Sequence, residues 1–398
     1  MKIIGGIYRE ICIDPWSDNL YGSALRSAVA ISKGCGDLNL VGIVEPELKE
    51  KVERVAKIFN FNVKIKERES EIGFVYDTPI SMPRIYGFET NFITTIEEHD
   101  HNIVCFAMVE ASLKVTADYL VIDPQGLSKL DGRISGSANH LAIVANQWEA
   151  KRLLGVEESL KAEDLAEKLR VKCKAEVVVV KCGALGAVVL DSGGIQRVPA
   201  YYTSKVNSIG SGDVFSSVFA FYWAEMRTTP KIAAENASRA TAEWVMRGPL
   251  QVISGDKKVT APNAEIPISG QLSTVYLAAP FFTISERWLV NLCRGALKNL
   301  GATVFSPLHD VGVGNGEDVA SRDLEGLKTS NVVFAVLDGV DPGTLFEVGY
   351  GYAMNKPIVI YVSDRKNNNL TMLKTSNIYI YEDLPSAIYN AVWRGIRS

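Results

Sequence analysis

No stretch of this 398-residue chain approaches the roughly 20 consecutive apolar residues that a membrane-spanning helix requires. The opening residues, Met1-Lys-Ile-Ile-Gly-Gly-Ile, are too short and too soon polar for a secretory leader. The six cysteines (Cys12, Cys35, Cys105, Cys173, Cys182 and Cys293) contain no Cys-x-x-Cys pair, which reads as buried thiols in a reducing compartment. A cytoplasmic protein is the expectation. There is no surplus of basic residues: the formal net charge is −4, which speaks against a nucleic-acid-binding surface. Internal repeats and low-complexity tracts are also missing. His99-Asp-His101 has no third ligand at a metal-binding spacing, so a solvated loop is expected there.

What is present is ordinary globular material. The chain is 47% hydrophobic and 22% charged, enough for large cores in two or three domains. Apolar runs at 2–8, 38–44, 102–106, 118–123, 141–144, 177–181 and 186–190 read as strands of a buried sheet. Helices are expected at 21–32, 45–59 and from 146. Alternating segments between 63 and 96 suit a small antiparallel piece with one wet face. The stretch 255–270 is rich in turn formers and charge and reads as a linker.

The stretch 332–354 organises the second half. Six apolar residues, 332–337, form a strand pattern; Asp338, Gly339 and Asp341 end it, and Pro342-Gly-Thr344 turns the chain into a helix. The run 357–362 then reads as the next strand. Open parallel sheets bind ligands at the carboxyl ends of their strands, which is where Asp338, Asp341 and Glu347 fall. Two roles fit Glu347. Thr344-x-x-Glu347 matches a capping box; equally, a carboxylate in the first turn is held ionised by the helix dipole and can act as a nucleophile. Gly349 and Gly351 each lower helix propensity by roughly 1 kcal/mol relative to Ala, a loss that close approach to the sheet or to a ligand would explain.

Val275-Tyr-Leu-Ala-Ala-Pro-Phe-Phe282, Arg322-Asp-Leu-Glu-Gly-Leu327 and Asp341-Pro-Gly-Thr-Leu-Phe-Glu-Val-Gly-Tyr350, in this order, resemble the nucleoside 2-deoxyribosyltransferase family. The resemblance implies that Glu347 attacks the anomeric carbon, with Tyr276 beside it, and that Asp323 and Asp341 handle the base and its proton. It implies substrate contacts from Phe281 and Gly343, and a homo-oligomer in which a neighbouring subunit lends an Asn, for which Asn369 is the candidate. Deoxynucleosides and nucleobases are the implied partners; no cofactor or metal is implied for this half. The chemistry is coherent without the name. Cleaving an N-glycosidic bond builds an oxocarbenium-like centre that a carboxylate can capture, and a second carboxyl group can protonate the departing base.

A second motif, Asn207-Ser-Ile-Gly-Ser-Gly-Asp-Val-Phe215, leads into a helix. Gly210, Ser211 and Gly212 present backbone N–H groups at the positive end of a helix dipole, which suits a phosphate. Asp213 could take a proton from a substrate hydroxyl, or merely cap a flexible turn. Together with Asn146-Gln-Trp-Glu149 and Ile122-Asp-Pro124, this motif resembles the ribokinase-like (PfkB) carbohydrate kinase family. The resemblance implies Asp213 as catalytic base, Gly210, Ser211 and Gly212 as an anion hole for ATP, Asn146 and Glu149 near Mg²⁺ and phosphate, and Asp14 on sugar hydroxyls. A sugar or nucleoside would be the acceptor. Three departures stand out: Asn207 replaces an Asp, Tyr21-Gly-Ser-Ala-Leu-Arg26 replaces a Gly-Gly-x-x-Ala-Asn segment, and Lys181 stands where a small hydroxyl residue is usual.

The expected fold is α/β. A ribokinase-like domain with a reduced β lid spans 1–260, a linker 261–272, and a flavodoxin-like or Rossmann-like parallel domain 273–398. Three functions stay open. They are transfer of 2-deoxyribosyl groups between bases with a fused kinase-like domain, hydrolysis of deoxynucleoside 5′-phosphates, and a kinase-like half that only senses a nucleotide or sugar phosphate.

Overall fold

The computed structural model describes residues 1–87, 94–158, 160–261, 266–272, 274–312, 316–363 and 370–396. The chain separates into two compact units: Met1–Thr203 with Asn207–Pro267, and Ser204–Val206 with Ile268–Ser398.

The N-terminal unit is built on β1 (Lys2–Ile4), β2 (Arg9–Cys12), β3 (Ser17–Leu20), α1 (Gly22–Ile31), β4 (Asn39–Val44), α2 (Pro46–Phe59), β5 (Asn62–Glu67), β6 (Gly73–Tyr76), β7 (Arg84–Tyr86), β8 (Thr94–Phe106), β9 (Ala111–Asp123) and β10 (Ile134–Asn146). It continues through α3 (Gln147–Leu154), α4 (Ala162–Cys173), β11 (Val177–Lys181), β12 (Ala187–Asp191), β13 (Gly194–Val198), β14 (Ala200–Tyr201), α5 (Ser211–Ala220) and α6 (Pro230–Arg247). Nine strands form one sheet in the order β13-β12-β11-β10-β9-β8-β1-β4-β5. All of its pairings are parallel except those of β12 and β13. One face buries α1, α2, α5 and α6 against Ile3, Leu40, Val104 and Val121.

The other face differs from a plain strand–helix–strand repeat. Phe106 pairs with Asp123 and Thr94 with Ala111, in parallel. Only four residues lie between β8 and β9, and thirteen extended residues would span about 43 Å, so each ribbon must fold back on itself. Pairing lapses at His101 and at Asn139 accordingly. The first halves then form a β layer in which Ile96, Leu113 and Ile134 pack beneath Ile103, Cys105 and Ile122. His99 and His101 sit at this bend, exposed, within a strand and not in the loop expected from sequence.

A second small sheet, β3-β2-β6-β7, supplies the reduced lid. Its composition corrects the expectation for 63–96: β5 is an edge strand of the main sheet and β8 a central one. Alternation marked a half-wet strand correctly, but pairing partner is a tertiary property that alternation does not encode.

In the C-terminal unit, after β15 (Pro267–Ile268), come β16 (Thr274–Ala278), α7 (Ile284–Asn299), β17 (Thr303–Phe305), α8 (Gly316–Thr329), β18 (Val332–Val336), α9 (Pro342–Ala353), β19 (Ile358–Tyr361), β20 (Ile378–Tyr381) and α10 (Leu384–Gly395). The all-parallel sheet has the order β17-β16-β18-β19-β20, the flavodoxin-like arrangement. Successive side chains alternate across it. Tyr276, Ala278, Val333, Ala335 and Leu337 face one core with Leu327 of α8 and Val348 of α9. The order reverses between β16 and β18, and ligands bind outside the strand ends at such a switch point.

Two of the three glycines of α9, Gly349 and Gly351, separate cleanly. A Cβ on Gly351 would lie 2.9 Å from Val333 Cγ2, whereas one on Gly349 would meet nothing within 4 Å. Gly351→Ala is therefore expected to cost about 1–3 kcal/mol through overpacking, and Gly349→Ala to stabilise by up to about 1 kcal/mol through helix propensity. Denaturant midpoints of the two variants check both signs.

Candidate active site

Helix α9 begins where its sequence says it must, but by a different device from the one expected. Asp341 is the N-cap: its Oδ2 accepts from the Thr344 N–H at 2.7 Å and from the Thr344 hydroxyl at 2.9 Å. The Thr344–Glu347 capping box is not formed, because Thr344 already lies inside the first turn and Glu347 in the second. Among the described residues the Glu347 carboxylate takes no backbone hydrogen bond. Its Oε1 instead accepts from Tyr276 Oη at 2.5 Å, joining β16 to α9 across the switch point. Tyr276 has no exposed surface, and its ring stacks on Phe305 at 5.6 Å, so the hydroxyl is aimed by packing.

Burial decides the charge state of this pair. Glu347 is pushed up to about 7, chiefly by desolvation and further by the carboxylates of Asp323 and Asp341, while the Tyr276 hydrogen bond pulls the other way. The sequence-based expectation of a carboxylate kept ionised by the helix dipole is thus corrected: in the second turn the dipole is weak and desolvation wins. Tyr276 is raised as well, by burial and by the neighbouring Glu347 charge. Asp323, on α8, is raised by desolvation against the opposing charge of Arg322. Its Oδ1 is buried and has no hydrogen-bond partner among the described residues. Burial thus raises both carboxyl groups, and the Asp323 charge further opposes ionisation of Glu347.

The remaining carboxylate has a structural task. Asp338 accepts from the Ser363 N–H and hydroxyl at 2.8 and 3.0 Å, tying the end of β18 to that of β19. Between them, Gly339 and Val340 adopt positive φ, 82° and 52°, a strained state for a β-branched residue. Gly343 lies exposed in the first turn of α9. Phe281 stacks on Phe282 at 5.4 Å, and its carbonyl accepts from Arg287 Nε. Asn369 falls outside the described residues.

The N-terminal unit gathers its motif residues at one sheet edge, with partners the sequence did not announce. Gly210, not Asp213, is the N-cap of α5, in the left-handed conformation. Asp213 does not cap; its Oδ2 accepts from Arg26 Nη1 at 2.6 Å and its Oδ1 from Gln125 Nε2 at 2.9 Å. Burial raises Asp213 despite Arg26. Arg26 also pairs with Glu10 of β2, and its guanidinium lies where a Cβ on Gly210 would be. Ser211 opens α5 beside Gly212, whose Cβ would lie 3.2 Å from Lys181 Nζ. Asn146 and Glu149 close a reciprocal capping box on α3 at 2.9 and 2.7 Å. Asp14 stays exposed at the turn between β2 and β3; Glu10 is the acid of this sheet that enters the cluster. Glu10, Gln125 and Ser216 escaped sequence reasoning: Gln125 and Ser216 lie one residue past the quoted motifs, and Glu10 is brought in by Arg26.

Residues 275–380 match the family model for nucleoside 2-deoxyribosyltransferases, and residues 104–247 that for pfkB family carbohydrate kinases. No match was found among curated proteins. Similar solved structures include a ribokinase from Giardia lamblia (15% identity, 62% of this chain and 94% of that one, TM-score 0.47). Others are a ribokinase from Thermotoga maritima (17%, 64% and 96%, 0.44) and phosphofructokinase-2 from Escherichia coli (14%, 64% and 96%, 0.43).

Proposed function

We propose that this chain, which carries a nucleoside 2-deoxyribosyltransferase family domain C-terminal to a pfkB family domain, transfers 2-deoxyribosyl groups between nucleobases through Glu347. The Tyr276–Glu347 pair at 2.5 Å, set at the sheet's switch point, carries the reading. The hydroxyl of Tyr276 holds one carboxylate oxygen and leaves the other to bond to C1′ of a 2-deoxynucleoside. As that bond forms, the glycosidic C–N bond breaks and its electron pair leaves with the base, which takes a proton from Asp323. A nitrogen of the second base then attacks C1′, displaces the Glu347 carboxylate and returns the proton to Asp323. Phe281 offers an aromatic face to a base, and Gly343 keeps the first turn of α9 open. Asn369 of a neighbouring copy would complete the site, as in the family.

The domain limits 1–260, 261–272 and 273–398 are the functional division we assign. No cofactor enters the transfer. Hydrolysis of deoxynucleoside 5′-phosphates is the alternative, with water in place of the acceptor base. The test is base exchange. Supplied with a 2′-deoxynucleoside and a second base, the protein should form the new deoxynucleoside faster than free deoxyribose, and intact-mass analysis should detect one 2-deoxyribosyl adduct. Faster release than exchange, or preference for the 5′-phosphate, overturns the reading. No helix among the described residues is long and apolar enough to cross a membrane.

Tyr276 provides a finer check. Its hydrogen bond favours the ionised form of Glu347, so Tyr276→Phe should move the acid limb of kcat/KM to higher pH. It should also lower the plateau by about tenfold, the loss of one charge-assisted hydrogen bond. A pH–rate profile reads both effects together.

A further inference from the structure

Kinases of the pfkB family generally use ATP and Mg²⁺, and the resemblance places that ion near Glu149. The residues at this position do not fit a divalent cation. Lys181, at the end of β11, carries its ammonium into the carboxylate cluster: Nζ lies 2.8 Å from Asp123 Oδ2 and 4.0 Å from Glu149 Oε2, and 3.4 Å from Ser216 Oγ. Asp123 is fully buried and saturated. Its Oδ2 accepts from Lys181 and from the Ser216 hydroxyl at 2.6 Å, and its Oδ1 from the backbone and side-chain nitrogens of Gln125 at 3.3 and 3.2 Å. A carboxylate has about four lone-pair sites, and all are engaged. Glu149 Oε2 accepts from the Asn146 N–H. A divalent ion here would have to displace donors from Asp123 and stand against a buried ammonium.

We propose that Lys181 is the resident cation of the N-terminal centre, standing where the kinase resemblance implies Mg²⁺, and that this unit takes no divalent ion at that position. The sequence supports the substitution: the small hydroxyl residue usual at this strand end would leave Asp123 and Glu149 open, whereas a lysine reaches both. The geometry also explains why the lysine tolerates burial. The Asp123 and Glu149 charges outweigh the desolvation that opposes its ionisation.

The full-length chain titrated with Mn²⁺ and followed by electron paramagnetic resonance tests this without reference to activity. The wild type should hold no saturable ion whose binding Glu149→Gln removes. Lys181→Ser should gain one ion per chain, held about tenfold or more tighter than any wild-type binding once the buried charge is gone. Glu149→Gln in the Lys181→Ser background should abolish it. A saturable wild-type ion lost in Glu149→Gln overturns the proposal, and that measurement does not depend on Lys181→Ser folding. A Lys181→Ser chain with native circular dichroism that gains no ion overturns it equally.

Discussion

Glu347→Gln is expected to abolish base exchange and the 2-deoxyribosyl adduct, by at least about four orders of magnitude, while raising the stability of the fold at neutral and alkaline pH. The first effect follows from chemistry: an amide cannot form the glycosyl ester. The second follows from burial. Glu347 rises from an ordinary 4.5 to about 7 in the folded chain, so between these values the folded state binds more protons than the unfolded one. Its contribution is therefore intact below about pH 4.5 and is lost as pH rises through 7, in total about 3 kcal/mol. Glutamine is never charged and can still accept from Tyr276. The variant should thus melt higher than the wild type at pH 8, about equally at pH 4.5, and with a flatter pH dependence between. Thermal melts across this range, beside an exchange assay, decide it. A variant that keeps near-normal turnover would reduce Glu347 to a packing residue.

The same value sets the acid limb of activity. Glu347 must be ionised to attack, so kcat/KM should fall below about pH 7, approaching tenfold per unit.

Asp323→Asn is the second large effect: a fall of about 10²–10⁴-fold in transfer from natural deoxynucleosides, the usual worth of a general acid. Asp323 is raised by burial and has a buried oxygen with no hydrogen-bond partner among the described residues, as befits a group that donates a proton to a leaving base. One readout separates this role from mere positioning. A 2-deoxyribosyl donor whose leaving group departs as a stable anion should be cleaved almost as fast by the variant as by the wild type. Equal losses on both donors would assign Asp323 to positioning alone.

Much of the C-terminal unit was legible in advance. The strand 332–337, the Pro342-Gly-Thr turn and the following strand recur as β18, the start of α9 and β19, because buried apolar runs and turn formers are local signals. Tyr276, Asp323, Asp341 and Glu347 stand on three spaced motifs. The capping-box alternative failed because Asp341 and Thr344 both offer an N-cap side chain three residues apart, and Asp341 opens the helix nearly one turn earlier. In the N-terminal unit, motif residues did converge, yet Arg26 and Lys181 changed their meaning. A cation twenty or more residues from its carboxylate is invisible to a local pattern.

The amino-acid order by itself determined two α/β units, the parallel strands with their turns, and which carboxylates lie at strand ends, since periodicity and chain stiffness act over a few residues. Only the tertiary structure decided that Glu347, beside Tyr276, is pushed up to about 7, that β8, β9 and β10 fold back on themselves, and that Lys181 fills the gap between Asp123 and Glu149. Desolvation and Coulomb energy depend on what surrounds a group in space, and that is fixed only when distant segments pack together.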